Sequence, residues 1–410
     1  MQKIKKYLKI IFINLILIVY LLELLLLFFL PAEQRTLTEI KKTRIKKANE
    51  LGMQYDLRSP EEAYFDLSQN NLDLSPTFYF NRTFANLKIF KKALSRNDII
   101  PFRGPINKKT LSCAEDLNYK LITNDKLGFK NPNSIYKKKI QIALLGDSYV
   151  EGLCYDENND IAGNFRKEKY NSINLGVLGS GPLLALGVFR EYVKNFKPDF
   201  VIYMYFEGND IPDLNWEKNN LLLKKYLDEN YSQNLLSRQN EIKTFLLKSS
   251  NESIKHLNKR IKIINNAKHE KISGTKDKFR DYIELSRLKN SIRNIFYFFS
   301  DKSFDEDLFF KIINDMDVET QSWGGKFIFV YTPTWSRYFT RFTRSQRYTS
   351  KKNYILKKLK KDNISTINLT NFFDKQTNKK QYFPLGYLGH YNKKGYKKIA
   401  DIIIEEIKHH

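Results

Sequence analysis

The longest apolar run in the chain is Ile10 to Leu30, 21 positions interrupted only by Asn14, Tyr20 and Glu23. Wound as a helix it is about 31 Å long, close to the hydrocarbon thickness of a bilayer. It predicts a transmembrane helix at 10–30 behind a short tail, residues 1–9. The hydrophobic core of a cleaved signal peptide is shorter, about 7 to 15 residues, and ends in small side chains. This run ends Phe28-Phe29-Leu30-Pro31 instead, which favours an uncleaved anchor. Glu23 inside the span is costly and calls for a polar helix partner, a proton or a reach toward the interface.

After the span the pattern changes twice. Residues 33 to about 55 read as a basic helical stalk, and 56–135 mix aromatic, Asn and Pro positions without a period, so 31–135 is taken as a stalk and extension. From residue 136 onward short β-rich runs alternate with helical segments. The runs are Ile140–Leu145, Ser172–Gly176, Phe200–Phe206, Lys326–Tyr331 and Ile364–Leu369. Five such strands predict an α/β fold with a parallel sheet covered on both faces. Between about 214 and 315, Leu, Ile and Phe recur at three- and four-residue spacings among Lys, Asn and Glu, which predicts a helical insertion. It follows a strand end, where open sheets of this class place their ligands, and it serves either as a lid or substrate platform or as a packing element.

Composition narrows the class of protein. With 42% hydrophobic and 14% aromatic residues, the 410-residue chain is too apolar to be disordered. Its net charge of +25 suggests nucleic acid first, but no zinc-finger, RRM or basic-zipper pattern accompanies it. An anionic lipid surface or acidic polysaccharide fits an anchored chain better, and a solvated basic surface is the plain alternative. Lys3, Lys5, Lys6 and Lys9 precede the span and keep that tail in the cytoplasm, so the long domain is expected outside, in the periplasm or beyond. The basic stretch Arg35 to Lys47 reduces the asymmetry.

In such a location the two cysteines, Cys113 and Cys154, matter. A bond between them closes a loop of about 40 residues, stabilises by about 4 kcal/mol in the chain-entropy model, and braces the segment just after Ser148. Two buried free thiols are the alternative. So few Cys and His residues argue against a metal site, and no cofactor is expected.

The chemistry is carried by four short strings. Gly146-Asp147-Ser148 follows a strand, a turn that exposes a hydroxyl above the sheet and aims helix N–H groups at developing negative charge. Alone, such a serine is more often an N-cap or turn residue. Gly179, in a glycine-rich loop, is a candidate backbone donor, and Asn209, in Glu207-Gly208-Asn209-Asp210, offers a side-chain amide. Taken singly they read as a tight turn and a helix cap. Of the five histidines, only His390 follows a glycine turn and opens a helix-like stretch, where a general base can reach the sheet edge.

Together and in this order, the strings resemble the four blocks of the SGNH/GDSL hydrolase family, with Gly146-Asp147-Ser148, Gly179, Gly208-Asn209 and His390 matching over residues 138–402. The resemblance extends to a membrane-anchored bacterial subgroup. It implies a flavodoxin-like three-layer sandwich with Ser148 as nucleophile, His390 as general base, and Gly179 and Asn209 as oxyanion donors. It also implies a serine esterase or O-acyltransferase acting on ester-linked acyl groups of an envelope glycan or lipid. One departure stands out. The family's aspartate, two or three residues before the histidine, is replaced here by Leu388 and Tyr387. Asp374 or Glu207 is the candidate substitute. Otherwise the site is a dyad, or the chain is an inactive scaffold or binding protein for envelope polysaccharide assembly.

Overall fold

The computed structural model describes residues 2–29, 37–81, 88–96, 98–269, 283, 285, 288–289, 304–340 and 342–409. The last residue of the expected span, the start of the stalk, and most of 270–303 in the expected insertion lie outside the described residues. The chain divides into two compact units, one of Met1–Thr43 with Lys262–Phe304 and one of Arg44–Ile261 with Asp305–His410.

In the first unit, α1 (Gln2–Phe29) contains the one helix segment, among the described residues, long and apolar enough to cross a membrane, Lys6–Leu25. Phe12, Leu17 and Ile18 on it are mostly exposed. Glu23 is fully buried, and its carboxylate accepts a hydrogen bond from the Leu288 N–H at 2.7 Å. That contact gives the polar group inside the apolar run a local partner. The basic helix α2 (Leu37–Glu50) follows and runs on into the second unit.

The segment without sequence period folds into small pieces of the second unit. Helix α3 (Pro60–Ser68) starts at a capping box in which Ser59 and Glu62 satisfy each other's backbone N–H groups. Strand β1 (Phe78–Tyr79) pairs with β2 (Arg103–Gly104), and α4 (Lys88–Arg96) lies between them in sequence. A hairpin joins β3 (Lys109–Leu111) to β4 (Leu121–Thr123), and its loop carries Cys113 and Glu115.

The core is a five-stranded sheet of β5 (Ile142–Gly146), β6 (Ser172–Asn174), β7 (Phe200–Phe206), β8 (Lys326–Thr332) and β9 (Thr366–Asn368). All four pairings are parallel and the spatial order is β6-β5-β7-β8-β9, a doubly wound arrangement with its switch point beside β5. Ile142 to Leu145 and Val201 to Tyr205 are buried along their whole length, because helices cover both faces and leave no polar side to alternate. After β5 come α5 (Ser148–Glu151) and α6 (Ile161–Lys167), and after β6 comes α7 (Pro182–Val188). The described part of the expected insertion is mostly helical, from α8 (Asp210–Glu217) through Leu221–Lys225 and Gln239–His269 to Glu306–Gln321, with turns and irregular chain at 226–238.

Candidate active site

Strand β5 ends at Gly146, whose φ of 148° and lack of a side chain let the chain turn sharply. A Cβ there would lie 2.6 Å from Val150 Cγ2 and 2.9 Å from the Met204 carbonyl oxygen. Asp147 caps α5 by accepting from the Tyr149 N–H at 2.8 Å, which leaves Ser148 as the first residue of the helix. There its N–H has no acceptor within the helix. Burial raises the Asp147 carboxyl to about 6, against the Tyr149 N–H, the His390 charge and the Asn209 amide, all of which favour ionisation.

His390 is presented by a loop tied down on both sides. Tyr391 donates its hydroxyl to the Pro333 carbonyl, and Asn392 caps the helix Lys393–Lys408 by accepting from the Gly395 N–H at 2.9 Å. The Tyr149 hydroxyl donates to the Gly389 carbonyl at 3.1 Å, and its ring lies 4.6 Å from the imidazole. His390 Nε2 sits 2.8 Å from Ser148 Oγ. These two groups are 242 residues apart in the chain.

The third group is Glu115, which the sequence reading did not single out. Its Oε2 lies 3.0 Å from His390 Nδ1 and also accepts the His390 backbone N–H at 2.8 Å. A carboxylate there fits the tautomer with the proton on Nδ1, leaving the Nε2 lone pair facing the hydroxyl. Burial pushes the Glu115 carboxyl up, but His390 and Arg44 outweigh it and hold it at about 2. Burial likewise opposes charge on His390, yet Glu115, with help from Asp147, raises its pKa above the usual value while Arg44 acts the other way. Ser148 is 5% exposed.

Neither acid proposed from sequence reaches the histidine. Glu207 is bound by Arg337 Nε at 2.9 and 3.1 Å, the Tyr331 hydroxyl at 2.7 Å and the Thr334 N–H at 2.9 Å. Its position after β7 turns it toward the end of β8, where it neutralises a buried arginine. Asp374 ends the short helix Thr370–Asp374, and its charge bears on Tyr338. Glu115 reaches the site because Cys113, two residues earlier, is disulfide-bonded to Cys154 with Cα atoms 4.8 Å apart.

Gly179 lies in the loop after β6 with φ of 73°, beside Asn81, whose amide donates to the Leu178 carbonyl at 2.9 Å. Asn209 is the N-cap residue of α8, and its Nδ2 donates to Asp213 Oδ2 at 2.8 Å. The same helix binds the glycine loop. Glu217 accepts from the Gly181 N–H at 2.6 Å and the Leu183 N–H at 3.0 Å. Asn209, Asp213 and Glu217 are spaced by four, so one face of α8 carries the amide and holds the loop.

No family model matches the chain, and no curated protein matches it. Solved structures do. A lipolytic protein of the G-D-S-L family from Desulfitobacterium hafniense is similar at 12% identity and a TM-score of 0.34, over 64% of this chain and 97% of that one. A GDSL-like lipase from Bacteroides thetaiotaomicron overlaps at 16% identity and 0.35, over 66% and 89%. An acylhydrolase from Bacteroides fragilis overlaps at 14% and 0.35, over 66% and 88%. Two of these three are described as GDSL-family or GDSL-like proteins. At that level of overlap, what the site can do rests on its own side chains.

Proposed function

We propose that this chain is a membrane-anchored serine esterase or O-acyltransferase of the SGNH/GDSL type, working through an acyl-enzyme. One observation carries the reading: Ser148 Oγ, His390 and Glu115 form a continuous relay with heavy-atom separations of 2.8 and 3.0 Å. Those separations are within the reach a general base and its orienting acid need.

Ser148 Oγ attacks the ester carbonyl carbon as its proton passes to His390 Nε2, and Glu115 stabilises the resulting imidazolium. The negative charge on the carbonyl oxygen is met by the Ser148 and Gly179 N–H groups and the Asn209 amide, with Asp213 orienting that amide. When the tetrahedral species collapses, the ester C–O bond breaks and His390 returns the proton to the leaving alcohol oxygen. Water, or the hydroxyl of an acceptor, then attacks the acyl-Ser148 ester with its proton going to His390, which releases the acid or the new ester and restores the serine. The inactive-scaffold alternative drew its force from a missing acid, and Glu115 removes that motive.

The substrate is an ester-linked acyl group on an envelope glycan or lipid, and the anchor holds the catalytic unit on the outer side of a bacterial inner membrane. The apolar segment Lys6–Leu25, the lysines ahead of it and the Cys113–Cys154 bond support that location. The test is labelling of the full chain in detergent with a fluorophosphonate probe. Labelling is expected in the wild type and absent in Ser148→Ala, and no labelling of folded wild type refutes the reading.

A further inference from the structure

Helix α2 meets the loop that presents His390 through consecutive turns. Lys47 Nζ lies 5.9 Å over the Tyr387 ring, and Ala48 is fully buried. Between the helix and the site reaches Arg44, its side chain 12% exposed. A single nitrogen, Nη2, donates to the Leu388 carbonyl at 2.8 Å and lies 3.1 Å from Glu115 Oε1. Glu115 therefore uses Oε2 for the imidazole and backbone of His390 and Oε1 for the guanidinium. The residue between Leu388 and His390 is Gly389. A Cβ there would meet Glu115 Oε2 at 2.7 Å and Arg44 Nη2 at 3.0 Å, so the ion pair occupies the space a side chain would need.

We propose that Arg44 is a positioning residue of this site, fixing through one guanidinium both the acid Glu115 and the loop that carries His390. The inference rests on the Ser148–His390–Glu115 reading. A carboxylate held on one oxygen can rotate about its last torsion, whereas one bound on both oxygens presents a fixed edge to Nδ1. The same cation faces His390 as a like charge once the imidazole takes a proton. Charges facing His390 come from three elements: Glu115 on the hairpin loop, Asp147 on the turn after β5, and Arg44 on α2. Tyr149, the ring beside it, stays neutral because burial holds its hydroxyl protonated. Of these, only Arg44 opposes the imidazolium.

The test uses the full chain in detergent micelles, as wild type, Arg44→Met and Arg44→Lys. Two quantities are read: the pH titration of His390 by NMR of ¹³C-labelled histidine, and the rate of Ser148 labelling by a fluorophosphonate. In Arg44→Met the His390 titration moves to higher pH and labelling slows by about 10- to 100-fold, the scale on which partners of an oriented ligand act. Arg44→Lys keeps the titration of the wild type, because the charge stays, and recovers only part of the rate, because a point charge does not hold both partners as a guanidinium does. A titration in Arg44→Met that is unmoved overturns the inference, and so does labelling at the wild-type rate. If Arg44→Met does not fold, Arg44→Lys decides, and a wild-type labelling rate in it overturns the inference. The histidine titration reads Arg44 whether or not Ser148 labels, so wild type that fails to label counts against the acyl-enzyme alone.

Discussion

Replacing Glu115 by Gln keeps the shape of the side chain and removes its charge from a position 3.0 Å from His390 Nδ1. At that distance and an effective dielectric of about 20, the attraction between the carboxylate and an imidazolium is about 5 kcal/mol. The repulsion between Arg44 and the imidazolium is present before and after the change, so it drops out of the difference. If all of the attraction acts in the transition state, turnover falls by about 10³- to 10⁴-fold, since each tenfold corresponds to about 1.4 kcal/mol. Loss of the tautomer preference carries the figure toward the roughly 10⁴-fold seen when the acid of a serine-protease triad is neutralised. The acid limb of the rate profile also moves. With Glu115 gone, burial becomes the dominant influence on His390, so its pKa drops and the limb shifts to lower pH. The assay is hydrolysis of p-nitrophenyl acetate from pH 5 to 9, below the melting temperature of each variant, with Asp374→Asn as a control expected to behave as wild type. Arg44 loses its partner in Glu115→Gln, so a drop of about 2 kcal/mol in stability accompanies the change and must be measured separately. A folded Glu115→Gln variant within tenfold of wild-type turnover, with an unshifted limb, refutes the assignment of Glu115.

Three other outcomes follow from the same geometry. Gly389→Ala forces its new Cβ against Glu115 and Arg44, and kcat is expected to fall by about 10- to 100-fold with little change in KM, as a displacement of well under 1 Å at a catalytic pair does; steady-state kinetics at unchanged kcat counts against that packing. Replacing both Cys113 and Cys154 by Ser should cost about 4 kcal/mol of stability for a separation of 41 residues, read by urea denaturation, and lower turnover even at low temperature, since the loop with Glu115 is released. Burial raises Glu217 from the usual 4.5 to about 8, so its favourable contribution is full below pH 4.5 and is lost as pH climbs through about 8, a change on the order of 5 kcal/mol. Glu217→Gln should flatten melting temperature against pH across that window, and parallel curves for the two proteins contradict the assignment.

The centre of the sheet was legible because β5, β7 and β8 are almost wholly buried and read as apolar runs. The predicted Phe200–Phe206 is strand β7 itself, while Ile364–Leu369 contracts to Thr366–Asn368, the edge strand with a neighbour on one side only. The proposed nucleophile and base, Ser148 and His390, were legible because each such role needs a turn of defined chemistry, which glycine and the strand end announce. Glu115 announces nothing locally. It lies 275 residues from its histidine, on a loop among short elements with no period to read. Its one signal was indirect: a bond from Cys113 to Cys154 brings the segment two residues before Glu115 to the end of the turn that Ser148 begins. Arg44 was hidden for the same reason, since a stalk helix rich in Lys and Arg gives no sign of which cation faces inward.

The contacts that assemble this site join residues 44, 115, 148 and 390, and the hydrogen bond from Arg44 to Leu388 alone closes a separation of 344 residues. Such closure comes late in folding, because each long loop costs entropy before its contact repays it. A chain emerging from its amino terminus carries the apolar helix, Arg44, Glu115 and Ser148 long before His390 exists. On the proposed reading Ser148 meets no base until His390 has been made, and a product truncated anywhere before His390 lacks the relay. On that reading the timing of activity is written into the order of the chain itself.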